Sequence, residues 1–225
     1  MRTHMWRIGG LIGLLVGLLL FPDPTLAQDK RLTVHPSSQF QIQGNATVRN
    51  FTCVVEQVEG RAHLPAPRDT LRETVPKQQT QAVVQVPVRA FDCGNDRMTD
   101  DLQETLKMEE HPEIRFELVH ATVGAPTDTA GQWRTINAIG ALTISGKKRL
   151  VRLEAVGHAL DAHHFRLRGC KPLKMTDFNV EPPKKAFGLI RVKDRVEAQF
   201  DLLAYTREGS AAALDSLRLG SPPTC

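Results

Sequence analysis

From Arg31 onward the chain is written largely in period two. Phe40 and Ile42, then Ala46 and Val48, then Phe51, Cys53 and Val55 alternate with polar positions, the mark of short strands with one face turned inward. Ala82, Val84, Val86, Val88 and Ala90 share one face against Val83, Gln85, Pro87 and Arg89, with Pro87 signalling an edge or a bulge. Ile114, Phe116, Leu118, His120 and Thr122 resume the rhythm, as do residues 133–144, 150–160, 165–168 and 187–192. In the last strand Val196, Ala198, Phe200, Leu202 and Ala204 face one way, and Glu197, Gln199, Asp201 and Leu203 face the other.

Three stretches break the alternation. Met98, Leu102 and Leu106 repeat every four residues, which predicts a short amphipathic helix over 99–107 with Thr99 as its cap and His111-Pro112 as its stop. Its acidic residues, Asp100, Asp101 and Glu104, read as partners of the helix dipole and solvent, not as paired catalytic carboxylates. Residues 65–80, with three prolines and hardly any apolar period, read as a long exposed connection. Residues 169–183 keep Leu173, Met175, Phe178 and Val180 among Pro172, Pro182 and Pro183, which excludes a regular helix and a central strand. So apolar a connection must cover something, either an opening in the core or a hydrophobic ligand's entrance. Eight or so strands with one helix and no helical crossovers describe an all-β fold. A closed antiparallel barrel is favoured over a sandwich because closure removes edge strands.

The first 27 residues stand apart. Arg2, His4 and Arg7 precede an apolar run over 8–21, and the stretch ends on Thr25, Leu26 and Ala27, the layout of a cleaved secretory signal peptide. That run is shorter than the roughly 20 residues needed to span a bilayer. The expected division is a signal peptide over 1–27, one barrel domain over 28–206 and a loosely ordered tail over 207–225. The mature protein is expected to be exported and soluble, in a bacterial periplasm or secreted. Losing Arg2, Arg7 and Asp23 with the leader lowers the formal net charge from +4 to +3, with both signs interspersed. This is a solvated surface and not a nucleic-acid stripe. All four cysteines lie in the exported part, where three pairings are open, and Cys53 with Cys93 is preferred because both end strand-like runs.

The chemistry of catalysis is hard to assemble. The chain has no Gly-x-Ser-x-Gly elbow, no phosphate-cradling glycine loop and no His-Glu-x-x-His. His158, His163 and His164 cluster around a turn at Asp161-Ala162, but no carboxylate or cysteine spacing completes a metal-ligand set, and no cofactor is called for. His120, on an otherwise apolar face, reads as a hydrogen-bonded core histidine.

Several of these segments occur in an order that resembles the YceI-like family: Gly-Asn-Ala-Thr-Val at 44–48, Val-Pro-Val-Arg-Ala-Phe at 86–91, Met98 with Leu102 and Leu106, Pro-Glu-Ile-Arg-Phe at 112–116, Gly-Ala-Leu-Thr-Ile-Ser-Gly at 140–146, Leu-Lys-Met-Thr-Asp-Phe at 173–178, then Pro182-Pro183 and Gly188. The resemblance runs over about 31–204. It implies an eight-stranded, lipocalin-like antiparallel barrel exported in bacteria, with a helix against the barrel and, in characterised relatives, a polyisoprenoid or other amphiphile inside. Ala46 and Arg49 stand where the commoner Ser-Thr-x-His pattern has serine and histidine, so a head-group contact made there by relatives does not carry over.

The function expected is therefore non-enzymatic: binding, carrying or sequestering an isoprenoid-like or fatty amphiphile. Val84, Val86, Phe116, Leu118, Leu173, Met175, Phe178 and Phe200 are the expected ligand-facing residues. The alternative is a barrel filled by its own side chains that acts through its surface as a stress-related or assembly partner. Phe116, Leu118, Phe200 and Leu202 are large enough to fill it, whereas Val84, Val86, Val88, Ala198 and Ala204 leave room. The sequence leaves the oligomeric state open, a homodimer included.

Overall fold

The protein is described by a computed structural model covering residues 30–64, 81–130, 132–185 and 189–215. The leader and the connection over 65–80 lie outside the described residues, as do Phe187, Gly188 and Cys225.

The strands are β1 (Lys30–Val34), β2 (Gln39–Ala46), β3 (Asn50–Val55), β4 (Glu59–Leu64), β5 (Gln81–Pro87), β6 (Glu113–Pro126), β7 (Trp133–Ile144), β8 (Lys147–Ala159), β9 (His164–Lys174), β10 (Lys184–Lys185) and β11 (Ile190–Thr206). Helix α1 (Asp96–Thr105) lies between β5 and β6, and α2 (Ala212–Asp215) follows β11.

All pairings among these strands are antiparallel, and they close into a barrel of eight staves. β1 and β2 form one stave, since both pair with β11, at Val34↔Ala204 and then at Gln39↔Asp201. The break between them falls at Pro36, which has no N–H to offer. There the Ser38 hydroxyl replaces the ladder, accepting from Leu203 N at 2.9 Å and donating to Leu203 O at 3.2 Å. β3 pairs with β2 and β4 with β1, so they form the second stave. The ring then runs β5, β6, β7, β8, β9, β11 and back to the first stave. The eight-stranded, all-β expectation therefore holds. The segment read over 187–192, from Ile190 onward, and the one over 196–204 belong to one strand, β11, with a bulge between Val192 and Val196.

Alternation placed most side chains on the correct face, and bulges explain the exceptions. A register shift between Leu118 and His120 turns His120 outward to solvent, so it is not the core histidine expected, and Ala121 takes the inward position. Gln199, Asp201 and Leu203 do face away from the barrel interior, yet all three are fully buried. Arg166 grips Asp201 through two parallel bonds, at 2.8 and 2.6 Å, and Arg168 approaches the same carboxylate at 3.1 Å. Within the tail expected to be loosely ordered, residues 207–215 form a turn and α2, and Leu214 is buried. His164 Nε2 reaches Ser210 O at 2.9 Å, and His35 Nε2 lies 3.4 Å from Asp215, so both ends of this segment are fastened to the barrel.

The helix begins earlier than periodicity suggested. Asn95 and not Thr99 is the cap, its side chain accepting from Met98 N at 3.1 Å, while the Thr99 hydroxyl accepts from Cys93 N. Both ends of α1 are anchored. At its start the Cys53–Cys93 disulfide and a Val54↔Asp92 bridge tie it to β3. Beyond its end, Ser145 Oγ donates to Leu106 O at 2.9 Å from the β7–β8 hairpin, whose turn places Ser145 and Gly146 at φ 45 and 75. Cys170 is disulfide-bonded as well.

Candidate ligand cavity

The barrel encloses an almost wholly apolar cavity of about 850 Å³. All eight residues expected to face a ligand line it. Val84 and Val86 reach it from β5, Phe116 and Leu118 from β6, and Phe200 from β11. Leu173 comes from the end of β9, and Met175 and Phe178 from the one-turn 3₁₀ helix that follows (Met175–Phe178).

The connection over 169–183 divides in two. Its first part continues β9 as a strand, contrary to expectation, with Pro172 paired to Glu197 of β11. A proline is tolerated there because the ladder from β9 to β8 stops at Gly169, which leaves that side of the strand without a partner. The second part is the expected cover. Phe178 is 2% exposed and belongs to the core cluster while also lining the cavity, and Val180 is buried beside it. The bulge in β11 aims Asp194 at this turn, where its carboxylate accepts from Thr176 N at 2.9 Å and from the Thr176 hydroxyl at 2.8 Å. These bonds, the backbone one foremost, hold the Asp194 carboxyl below its ordinary pKa. Arg149 Nε donates to Asp177 O from the far side. Asn179 ends the turn in the left-handed region at φ 57, a conformation asparagine tolerates.

Eight strands leave a barrel interior that side chains can just fill. Here phenylalanine rings take up the space beside inward glycines, where a Cβ would meet them. Phe51 covers Gly44, its direct partner across β2 and β3; Phe200 covers Gly169 across β11 and β9; Phe116 covers Gly140, two residues along β7 from its own partner Leu142. Phe116 and Phe200, expected to face a ligand though large enough to fill the interior, line the cavity wall.

Among the cavity-lining residues, Val48, Arg49, Asn95, Arg97, Lys174 and Ile190 are the exposed ones, and they mark its mouth. The mouth lies where the β2–β3 turn, the start of α1, the end of β9 and the start of β11 meet. Just inside it, Lys171 takes an inward position on β9, opposite Ala198, and the half-buried Asp101 reaches the lining from α1. The sequence reading missed this basic rim. The signals were present: Lys171 is in phase with Leu167 and Leu173, and Ala46 and Arg49, the two departures from the commoner motif, both line the cavity. No group of three or more His, Cys, Asp or Glu residues placed to hold a metal occurs among the described residues.

A closed eight-stranded antiparallel barrel around an apolar chamber, roofed by one helix and open at a polar rim, is a lipocalin-like barrel. The profile of the YceI-like domain matches residues 31–204, and the chain belongs to that family. Among solved structures it is similar to BcnA from Burkholderia cenocepacia, with a TM-score of 0.55, 18% identity, and coverage of 74% of this chain and 95% of that one. It is also similar to a polyisoprenoid binding domain from Saccharophagus degradans implicated in plant cell wall breakdown, with a TM-score of 0.58, 11% identity, and coverage of 78% and 98%. At these identities the likeness is one of fold. No curated protein matches the sequence.

Proposed function

We propose that the protein is an exported, non-enzymatic barrel that binds and carries, or sequesters, one isoprenoid-like or other amphiphilic chain. The chain lies in the apolar cavity and its polar head rests at the rim. The observation that carries this reading is the size and character of the cavity. A volume of about 850 Å³ falls within the range of small-molecule sites, and its polar groups gather at one end, as an amphiphile requires. Burial supplies the affinity. At about 0.8 kcal/mol per methylene, some ten buried CH2 groups yield roughly 8 kcal/mol, the equivalent of micromolar binding, and a longer chain offsets the cost of its own ordering. The family membership and the fold shared with a polyisoprenoid binding domain support the same reading. Export rests on the leader-like first 27 residues and accords with the disulfides. The alternative of a self-filled barrel acting only through its surface does not account for a chamber of this size.

Native mass spectrometry of protein purified from its own host tests the proposal. A bound species with an alkyl or prenyl chain in the organic extract is the expected result. A ligand-free mass with no lipid extracted, and no uptake of prenols or fatty acids supplied in detergent, would overturn it.

A further inference from the structure

The mouth of the cavity carries a feature that lipid binding inside the barrel does not use. Three large apolar side chains stand in solvent on two adjoining segments: Val48 at 69% exposure in the β2–β3 turn, and Leu189 at 77% and Ile190 at 38% where β11 begins. The two segments are laced together, with Thr47 N donating to Arg191 O at 3.0 Å and the Thr47 hydroxyl donating to Leu189 O at 3.0 Å. The apolar group is therefore a fixed lip and not a pair of independent loops. Val48 and Ile190 also line the cavity, so the lip is continuous with the chamber.

Its charge is one-sided. Of the described side chains over 47–49 and 184–193, Arg49, Lys184, Arg191 and Lys193 are basic and none is acidic. Arg97 and Lys174 extend the positive rim around the opening. Acids are fewer here and partly engaged: Asp194 holds the 3₁₀ turn and Asp101 lies half-buried at the cavity wall, while Glu181 and Asp96 are exposed on the flanks.

We propose that this lip docks the cavity mouth onto an anionic phospholipid surface, so that the chain passes between bilayer and barrel without crossing water. The proposal rests on the carrier reading above. Exposed apolar side chains beside lysine and arginine seat a protein at a membrane interface, where shallow apolar insertion and attraction to anionic head groups act together and the second fades with salt. Charge complementarity and continuity with the chamber select the bilayer as the occupant.

The test is flotation of the delipidated protein with vesicles of phosphatidylcholine alone or mixed with phosphatidylglycerol. Binding is expected to the anionic vesicles, to weaken at high salt, and to fall by about tenfold or more in the combined variant Leu189→Asp, Lys184→Glu, Lys193→Glu, none of whose positions lines the cavity. The control Leu150→Asp, at a 72% exposed position on the outer wall of β8, should bind as the wild type does. Transfer of a prenol from vesicles should slow in the combined variant, whereas uptake of the same prenol from detergent micelles should not change. A wild type that loads from micelles but ignores anionic vesicles would overturn the lip, leave the carrier reading standing and point to a protein donor. Binding that is equal on both vesicle types, or undiminished in the combined variant, would also overturn it. A protein that docks through the lip yet takes up no chain by either route would uphold the lip and sink the carrier reading.

Discussion

The interior glycines decide how much room the barrel keeps. A Cβ on Gly169 would meet the Phe200 ring at 2.5 Å as well as the Glu154 carbonyl at 3.0 Å, so the ring would have to swing off the wall. Gly169→Ala should thus destabilise the protein by about 1–3 kcal/mol, the usual range for overpacking, and should shorten the longest prenol the barrel accepts. Melting of the ligand-free variant beside a chain-length series checks both effects. Unchanged chain selection would mean that Phe200 does not border the bound chain. Lys171 makes no side-chain hydrogen bond or ion pair among the described residues, and it looks into an apolar chamber. Lys171→Met should leave the affinity for a neutral prenol within a few-fold and weaken the matching prenyl phosphate by about tenfold, one lost charge-assisted contact. Period two made the inward valines, leucines and phenylalanines legible in the sequence. It could not show which way a ring tips once inside, because that depends on the glycine across the ladder. Nor could it foresee His120, since a bulge adds a residue without changing composition.

At the level of elements, the connection over 169–183 was legible as a cover and illegible in detail. Its prolines argued against a strand, but Pro172 lies where β9 has no neighbour on one side, a matter of ladder length that one sequence does not display. The helix was visible from Met98, Leu102 and Leu106, whereas its start was set by Asn95, a cap lying outside the apolar period. Phe178 is both core and cavity wall, so Phe178→Ala is expected to cost roughly 3–5 kcal/mol and also to loosen ligand retention. Melts of delipidated wild type and variant, run beside a retention assay, separate the two effects. A large melting shift with unaltered retention would assign Phe178 to structure alone. The roof helix adds a further test through the Cys53–Cys93 bond, which closes a loop of 40 residues. Replacing both cysteines by serine should lower stability by roughly 3–4 kcal/mol on the chain-entropy account and speed ligand release, because one anchor of α1 is lost.

For the whole molecule, closure depends on the chain's two ends meeting: β1 and β2 lie against β11, and the segment after β11 folds back outside. Alternation predicted the closure but not the cover, since nothing in Gln199, Asp201 or Leu203 announces that an outward face will be buried, with Gln41, Arg166 and Ser38 bonded to it. The tail's fastening is pH-sensitive. His164 sends Nδ1 to Asp161 at 2.7 Å and Nε2 to Ser210 O at 2.9 Å, so both ring nitrogens face acceptors and only the imidazolium satisfies both. Its pKa is accordingly raised above 6.5, by Asp161 first and the Ser210 carbonyl second. The Asp161 carboxyl is held below 3.8, by His163 N–H first and by the His164 side chain second. A histidine whose pKa rises on folding stabilises fully below its unfolded value and loses that contribution as pH climbs through the folded one. An aspartate whose pKa falls on folding contributes fully above its unfolded value and loses that as pH drops through the folded one. The fastening should therefore be complete between pH 3.8 and 6.5 and should weaken on the alkaline side. His164→Gln keeps a polar side chain but cannot charge. The melting difference between wild type and this variant should be greatest inside that window and shrink as pH rises past the raised histidine pKa. Proteolytic cleavage within 207–215 should become faster in the wild type over the same rise. A melting difference that stays constant from acid to alkaline buffer would show that His164 holds the tail by shape and not by charge.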